Sequence, residues 1–121
     1  MRAAARRHGV DPALALAVSY QESGLDQSRV SIAHAIGAMQ VIPATGEWAS
    51  ALAGRRLDLL RPQDNATAGV VVLRALLRET GDLRLAVASY YQGLGSVRRH
   101  GPHADTEQYV DNVLALRARF R

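Results

Sequence analysis

The hydrophobic positions of this chain recur with the spacing of α-helices. Asp11 followed by Pro12 is a helix start signal, with Asp as the N-cap and Pro at the first helical position. The run from Ala13 to about Glu22 is apolar nearly all round, which indicates a buried helix. Gly24 is placed to end that helix.

The same periodicity predicts further helices along the chain. They are expected over residues 3–8, 43–52, 65–79, 83–91 and from 105 to about 120, with a loop holding at most one helical turn over 25–37. Asp64 and Asp82 are candidate N-caps, and Asp105 with Gln108 resembles a capping box. Glycines are expected to close or weaken these helices at Gly9, Gly46, Gly81, Gly93 and Gly95.

Strands are not expected, because no segment alternates with a period of two between hairpin turns. The chain has no internal repeat and no low-complexity linker, and 121 residues suit one domain rather than two. The sequence therefore predicts a single all-α domain over residues 1–121.

Composition and charge narrow the class of protein. Hydrophobic residues make up 48% and charged residues 21%, as in soluble globular domains. Stable membrane insertion is not expected, because apolar runs such as 13–18 and 69–73 are far shorter than the roughly 20 residues that span a bilayer. The net charge of +4 would favour anionic partners, or it reflects a GC-rich genome. Nucleic acid is not an expected partner, since basic residues cluster only in pairs and aromatic residues are few.

Several kinds of site are excluded by residue type. The absence of cysteine removes disulfides, thiolate nucleophiles and zinc–cysteine sites. The four histidines form no i,i+4 pair on a helix, so neither a metal nor a cofactor is expected. The N-terminus lacks the apolar region of a signal peptide. The chain is therefore either cytoplasmic or a domain of a longer secreted precursor.

The best candidate for chemistry is Glu22, at the end of the predicted buried helix. The negative end of the helix dipole and the apolar residues behind Glu22 both disfavour its ionised form, so its pKa should be raised. A carboxyl that is protonated near neutral pH can act as a general acid. The alternative is an ordinary exposed glutamate at a helix end.

Five short motifs change that balance, because they occur in a fixed order over roughly residues 8 to 118. They are Glu22-Ser23, Ser31-Ile-Ala-His-Ala-Ile-Gly37-Ala-Met-Gln-Val-Ile-Pro43-Ala-Thr45, Asn65-Ala-Thr-Ala-Gly69, Ala88-Ser-Tyr90-Tyr-Gln-Gly93 and Asp105-Thr106-Glu-Gln-Tyr109-Val110. In this order the series resembles the SLT-type lytic transglycosylases, a family with the lysozyme-like fold. The resemblance implies an all-α, lysozyme-like domain with a glycan-binding groove.

The resemblance also implies roles for individual residues. Glu22 matches the catalytic acid, and Ser23 would help to order the site. The implied substrate-binding residues are Ser23, Ser31, Gly37, Met39, Gln40, Tyr90, Tyr91, Gln92, Asp105 and Tyr109. Four positions depart from the family pattern, namely His34 for Gly, Ala38 for Leu, Tyr91 for Asn and Asp105 for Glu. Tyr91 is expected to reshape a subsite, while Trp48 is interpreted as a core aromatic.

The implied reaction uses one carboxyl. Glu22 would protonate the bond between N-acetylmuramic acid and N-acetylglucosamine, and the C6 hydroxyl of the muramic acid would close a 1,6-anhydro ring. Asp26, the nearest second acid, is interpreted as a solvated loop residue. Two alternatives stay open: a goose-type lysozyme-like hydrolase and a non-catalytic glycan-binding module. The expected partner is the peptidoglycan glycan strand. The domain is expected to be a monomer and to act outside the cytoplasm.

Overall fold

In the computed structural model, which describes residues 1–121, the helix signals of the sequence produce seven helices. In chain order these are α1 (Arg2–Arg7), α2 (Pro12–Ser23), α3 (Pro43–Ala53), α4 (Pro62–Thr80), α5 (Leu83–Gln92), α6 (Leu94–His100) and α7 (Ala104–Phe120). There are no strands, only isolated bridges from Ile36 to Val30 and to Val41. The prediction of an all-α domain is confirmed.

The local signals around α2 act as predicted. The Asp11 carboxylate accepts a hydrogen bond from the Ala13 backbone N–H at 3.0 Å, and Pro12 opens the helix. Gly24 ends it in the left-handed conformation, at a φ of 68°. Six of the first eight residues of α2 are buried, and the helix packs along α7. Glu22, on the last turn of α2, is therefore held by a buried helix.

Helix α4 lies at the centre of the domain. It packs against α1, α2, α3 and α5, and its segment from Asn65 to Leu73 is buried without interruption. Gly69 lies against the buried side chain of Met39, and a Cβ atom at residue 69 would overlap that side chain. This close approach brings the loop between α2 and α3 onto the central helix.

Two expectations about helix caps are wrong. Helix α4 begins at Pro62, because Asp64 does not cap it: the Asp64 carboxylate accepts from the Asp58 backbone N–H and from Arg55, at 2.9 and 3.0 Å. Helix α7 begins at Ala104 with no capping side chain. The proposed capping box at Asp105 is absent, because the Asp105 carboxylate accepts from Tyr91 instead.

Two glycines also behave differently from expectation. Gly93 ends α5, but Gly95 lies inside α6, a short helix that the sequence interpretation missed. Gly46 is not a weak point of α3, because it is buried and an added Cβ would lie 2.9 Å from the Leu59 side chain. A small residue is required there for the loop before α4 to approach α3.

Candidate active site

The loop from Gly24 to Ile42 is held in place by buried polar side chains of the helices beneath it. Ser19 and Ser23 of α2 both donate to the Ala38 carbonyl oxygen, at 2.9 and 2.7 Å. Asn65 of α4 accepts from the Met39 backbone N–H at 2.9 Å and donates to the Ile36 carbonyl oxygen at 2.8 Å. These bonds satisfy loop groups that would otherwise be buried without partners. The loop is therefore a fixed wall beside the end of α2.

Glu22 projects from the last turn of α2 and is half-buried. The Tyr109 phenol of α7 donates a 2.7 Å hydrogen bond to its Oε2. Burial raises the pKa of Glu22 to about 7, against the lowering effects of the Tyr109 hydrogen bond and the Arg29 charge. The raised pKa predicted from the sequence is confirmed, and burial is its largest cause.

A groove with a volume of about 500 Å³ opens beside Glu22. Its floor includes Val72 and Leu76 of α4, and Gln40, Trp48 and Tyr91 lie on its walls. Glu22 is the only carboxyl among its lining residues. An apolar cleft with one titratable group near neutral pH is the usual form of a catalytic site.

Tyrosines of α5 and α7 order the acid side of the groove. Tyr90 lies on the groove and donates to the Met39 carbonyl oxygen at 2.7 Å, so it ties α5 to the loop. The Tyr91 ring stacks on the Tyr109 ring, with centroids 4.6 Å apart and an interplanar angle of 25°. The Tyr91 phenol donates to the Asp105 carboxylate at 3.0 Å. Tyr91 and Asp105, the two residues that depart from the family pattern here, therefore contact each other.

Three of the residues expected to bind substrate do not reach the groove. Met39 has an exposed fraction of 0% and packs in the core, so it cannot line a surface. Gly37 is buried against Asn65. Ser23 is buried and its hydroxyl bonds Ala38 and the Asp26 backbone N–H, which orders the turn after α2. These three residues do not line the groove, and their implied contact with substrate stays a prediction.

Three other residues expected to bind substrate mainly make hydrogen bonds within the protein. The Ser31 hydroxyl accepts from the Ala35 backbone N–H at 3.0 Å and shapes the loop, away from the groove lining. Gln92 lines the groove, but its amide group bonds Ser96, Gly101 and the His103 backbone N–H. Tyr109 is buried, and its phenol reaches Glu22 rather than open groove.

Of the last two predicted site residues, Gln40 lines the groove and Asp105 does not. Asp105 is exposed and lies outside the groove lining, so it acts on the groove through Tyr91. Gln40 lines the groove, and its amide donates to the Arg29 and Gly37 carbonyl oxygens at 3.0 and 2.9 Å. Its backbone is left-handed, at a φ of 50°. Such strain at a non-glycine residue is typical of functional loops.

Two further sequence interpretations can be compared with the structure. Asp26 is exposed and accepts from Ser28, in agreement with its interpretation as a solvated loop acid. His34, which replaces a family glycine, has a left-handed backbone with a φ of 65°. A glycine adopts this conformation without strain, and histidine is among the residues that tolerate it. The substitution therefore keeps the shape of the loop.

The interpretation of Trp48 as a core aromatic is wrong, because its side chain is exposed on the groove wall. The role of Asn65 in holding the loop does not follow from its motif. Asn65 begins the buried segment of α4, and a buried amide must find hydrogen-bond partners. No signal in α3 marked which face of that helix would carry Trp48 into the groove.

None of the seven helices is both long enough and apolar enough to cross a membrane. No group of three or more metal-ligating side chains lies together.

Comparison with known proteins identifies the family. The model of the transglycosylase SLT domain matches residues 1–112. The chain is 34% identical over 128 residues to membrane-bound lytic murein transglycosylase C from Mannheimia succiniciproducens, covering 94% of this chain and 35% of that protein. The equivalent protein from Haemophilus influenzae is 33% identical over 113 residues, covering 82% of this chain and 32% of its own length. The chain thus spans about a third of the curated relatives it matches.

Solved structures give the same result. An inactive glutamate-to-glutamine mutant of lytic transglycosylase Slt from Pseudomonas aeruginosa matches with a TM-score of 0.89 and 27% identity, over 98% of this chain and 22% of that chain. The 70 kDa soluble lytic transglycosylase in complex with bulgecin A matches with a TM-score of 0.90 and 26% identity, over 99% of this chain and 23% of that chain. The lysozyme-like helical fold and the family resemblance inferred from the motifs are both confirmed. The chain belongs to the transglycosylase SLT domain family.

Proposed function

We propose that this chain is a peptidoglycan lytic transglycosylase. It cleaves the β-1,4 bond between N-acetylmuramic acid and N-acetylglucosamine and leaves a 1,6-anhydromuramic acid end. The observation that carries the proposal is Glu22 itself. It is the only carboxyl lining the groove, and burial raises its pKa to about 7, so a large fraction of it carries a proton at neutral pH.

The reaction proceeds with Glu22 acting twice. As an acid, it gives its proton to the glycosidic oxygen while the bond from that oxygen to C1 of the muramic acid breaks. The acetamide of the muramic acid stabilises the positive charge that develops at C1. Glu22, now a carboxylate, takes the proton of the C6 hydroxyl, and the C6 oxygen bonds to C1. No water is consumed, and the sugar supplies the nucleophile.

A single carboxyl fits the geometry of this groove. A glycosidase that uses two carboxyls needs them about 5 to 9 Å apart across the scissile bond. Asp26 is exposed on the loop and engaged with Ser28, and Asp105 is engaged with Tyr91 outside the groove lining. An intramolecular nucleophile removes the need for a second acid.

The relatives support this proposal within their own limits. The curated relatives are named lytic murein transglycosylases, and one structural neighbour was solved with bulgecin A bound. The inactive Pseudomonas aeruginosa enzyme carries a glutamate-to-glutamine change. Because this chain spans only about a third of the curated relatives, their activity is proposed for it and not assigned.

The residues at the groove have different roles in the proposed reaction. Glu22 is the catalytic residue, and Tyr109 positions its carboxyl. Gln40, Tyr90 and Tyr91 lie on the groove and contact the glycan strand. Ser31 shapes the loop beside them.

The proposal also includes a location and an assembly state. Residues 1–121 act as one catalytic domain, monomeric by itself, on peptidoglycan strands outside the cytoplasm. The relatives named as membrane-bound are consistent with a place at the cell envelope.

The test is mass spectrometry of the soluble fragments released from purified peptidoglycan. The unsubstituted chain should release anhydro-muropeptides, and Glu22→Gln should release none. Glu47→Gln, on the exposed side of α3 and outside the groove, is the matched control and should behave as the unsubstituted chain. Reducing-end products would show a lysozyme-type hydrolase instead. Binding of sacculi without release by any variant would show a glycan-binding module.

A further inference from the structure

The chain contains one tryptophan, and it is exposed in the groove. Trp48 lies on α3 with an exposed fraction of 41% and lines the same groove as Glu22. Tryptophan is usually well buried, because its ring has the largest apolar surface of any side chain. An exposed ring inside a groove is a surface available to a ligand.

Trp48 and Tyr91 face the groove from two different helices. Helix α4 packs against both α3 and α5, whereas α3 and α5 make no extensive contact with each other. Val72 and Leu76 of α4 form the floor between them. Trp48 therefore stands on one wall and Tyr91, with an exposed fraction of 47%, on the other.

The chemistry of these walls suits a sugar ring. A pyranose presents C–H groups on its faces and hydroxyl and acetamide groups on its edge. An aromatic ring packs well against such an apolar face, while polar groups nearby fix the orientation. Glu22 and Gln40 are polar groups on the same groove.

We propose that Trp48 is a sugar-stacking residue, which holds an N-acetylhexosamine ring of the glycan strand on the wall opposite Tyr91. The inference rests on the proposed function, since it takes the peptidoglycan strand as the ligand. It adds a binding residue that lies outside all five sequence motifs. The stacking is made equally in the bound substrate and in the transition state, so it contributes to affinity and not to the chemical step.

Tyr20 provides a matched control elsewhere on the molecule. Its exposed fraction of 49% is close to that of Trp48, and it is also an aromatic residue on a helix. It lies outside the groove lining, and its ring meets Phe120 at 6.0 Å. Truncation at either position removes a comparable exposed ring, and only one of them lies in the groove.

The experiment uses the fluorescence of Trp48, which reports on this one residue because the chain has no other tryptophan. Soluble, peptide-free peptidoglycan strands are titrated into the Glu22→Gln chain, which leaves the strand intact. Binding should shift the emission to shorter wavelength and protect it from acrylamide quenching. Calorimetry on the same samples measures the dissociation constant independently of the ring.

Truncation then measures the contribution of the ring. In the Glu22→Gln background, Trp48→Ala should raise the dissociation constant about tenfold, the size expected for one lost aromatic contact. Trp48→Phe should raise it about twofold, and Tyr20→Ala should leave it unchanged. With an intact Glu22, Trp48→Ala should raise KM by a similar factor at unchanged kcat.

Two results would overturn the inference in different ways. Binding by calorimetry with unmoved emission and unchanged affinity in Trp48→Ala would remove Trp48 from the binding site and leave the proposed function standing. Absence of binding by calorimetry, together with absence of anhydro product from the unsubstituted chain, would overturn the proposed function and this inference with it.

Discussion

The Tyr109 phenol donates a 2.7 Å hydrogen bond to the carboxylate of Glu22, a residue 87 positions away in the sequence. The bond joins the last turn of α2 to α7. Tyr109 is buried, whereas Glu22 is half-buried and lines the groove. A hydrogen bond to the ionised form of an acid favours that form, so Tyr109 opposes the effect of burial on Glu22. The protonation state of Glu22 is therefore a balance between its burial and Tyr109.

Removing this phenol should shift the pH dependence of activity. Tyr109→Phe keeps the ring and deletes the donor, so the pKa of Glu22 should rise above its value of about 7. The alkaline limb of kcat/KM, where Glu22 loses its proton, should therefore move to higher pH. Tyr20→Phe, which removes a phenol outside the groove, is the control. An unmoved limb in Tyr109→Phe would show that the bond does not tune the acid.

The raised pKa of Glu22 also predicts a stability effect. The folded chain binds this proton more tightly than the unfolded chain, so the free energy of unfolding should fall as pH rises from about 4.5 to about 7. Glu22→Gln removes that loss and should be more stable than the parent at pH 8, by about 3 kcal/mol, with no such gain at pH 4. Urea unfolding at the two pH values measures it. Equal stability gains at both values, or a gain of the same size in Glu47→Gln, would contradict the prediction.

The effects of substitutions at Tyr91 and Asp105 should not add, because the two side chains share one hydrogen bond. Tyr91→Phe removes the donor and Asp105→Ala removes the acceptor of the 3.0 Å bond that holds the Tyr91 ring, which stacks on Tyr109. Each should lower kcat/KM about threefold to tenfold, and the double variant should be no worse than either single variant. Glu47→Ala, which removes an exposed carboxyl outside the groove, is the control. Additive losses in the double variant would mean that the two residues act independently.

Two glycine substitutions should have effects of opposite sign. Gly69→Ala places a methyl group where the Met39 side chain lies and should destabilise the fold by about 1–3 kcal/mol. Gly95→Ala, in exposed α6, meets only the flexible end of Arg99 at 3.1 Å and should stabilise by about 0.5–1 kcal/mol. Thermal unfolding of the two variants measures both effects. A neutral Gly69→Ala would show that the contact with Met39 is loose.

The sequence predicted those features that neighbouring residues determine. Asp11, Pro12 and Gly24 lie next to the helix ends they produce, so α2 was predicted with nearly correct bounds. The raised pKa of Glu22 followed from the same local context. Helix α6 was missed because Gly93 ends one helix and directly caps the next, a double use that no single glycine reveals.

Features set by contacts between distant segments were not predictable in the same way. The role of Tyr109 depends on how α7 lies across α2, and the motif alone suggested contact with substrate. Met39 lies in a strip that the resemblance assigned to the groove, yet the gap left by Gly69 takes its side chain inward. Trp48 was assigned to the core because hydrophobicity does not tell which wall of a groove a helix will form.

The Asn65 amide fixes one wall of the groove before any ligand binds. Its bonds to Met39 and Ile36 fasten an irregular stretch of backbone to the most deeply buried helix. The hydrogen bond from the Met39 amide to Asn65 should protect that amide proton from exchange with solvent. A wall that is already in place loses little conformational entropy when a strand arrives. Under the proposed function, the groove would offer the glycan strand a preformed slot, and little of the affinity gained from its contacts would be lost to ordering the loop.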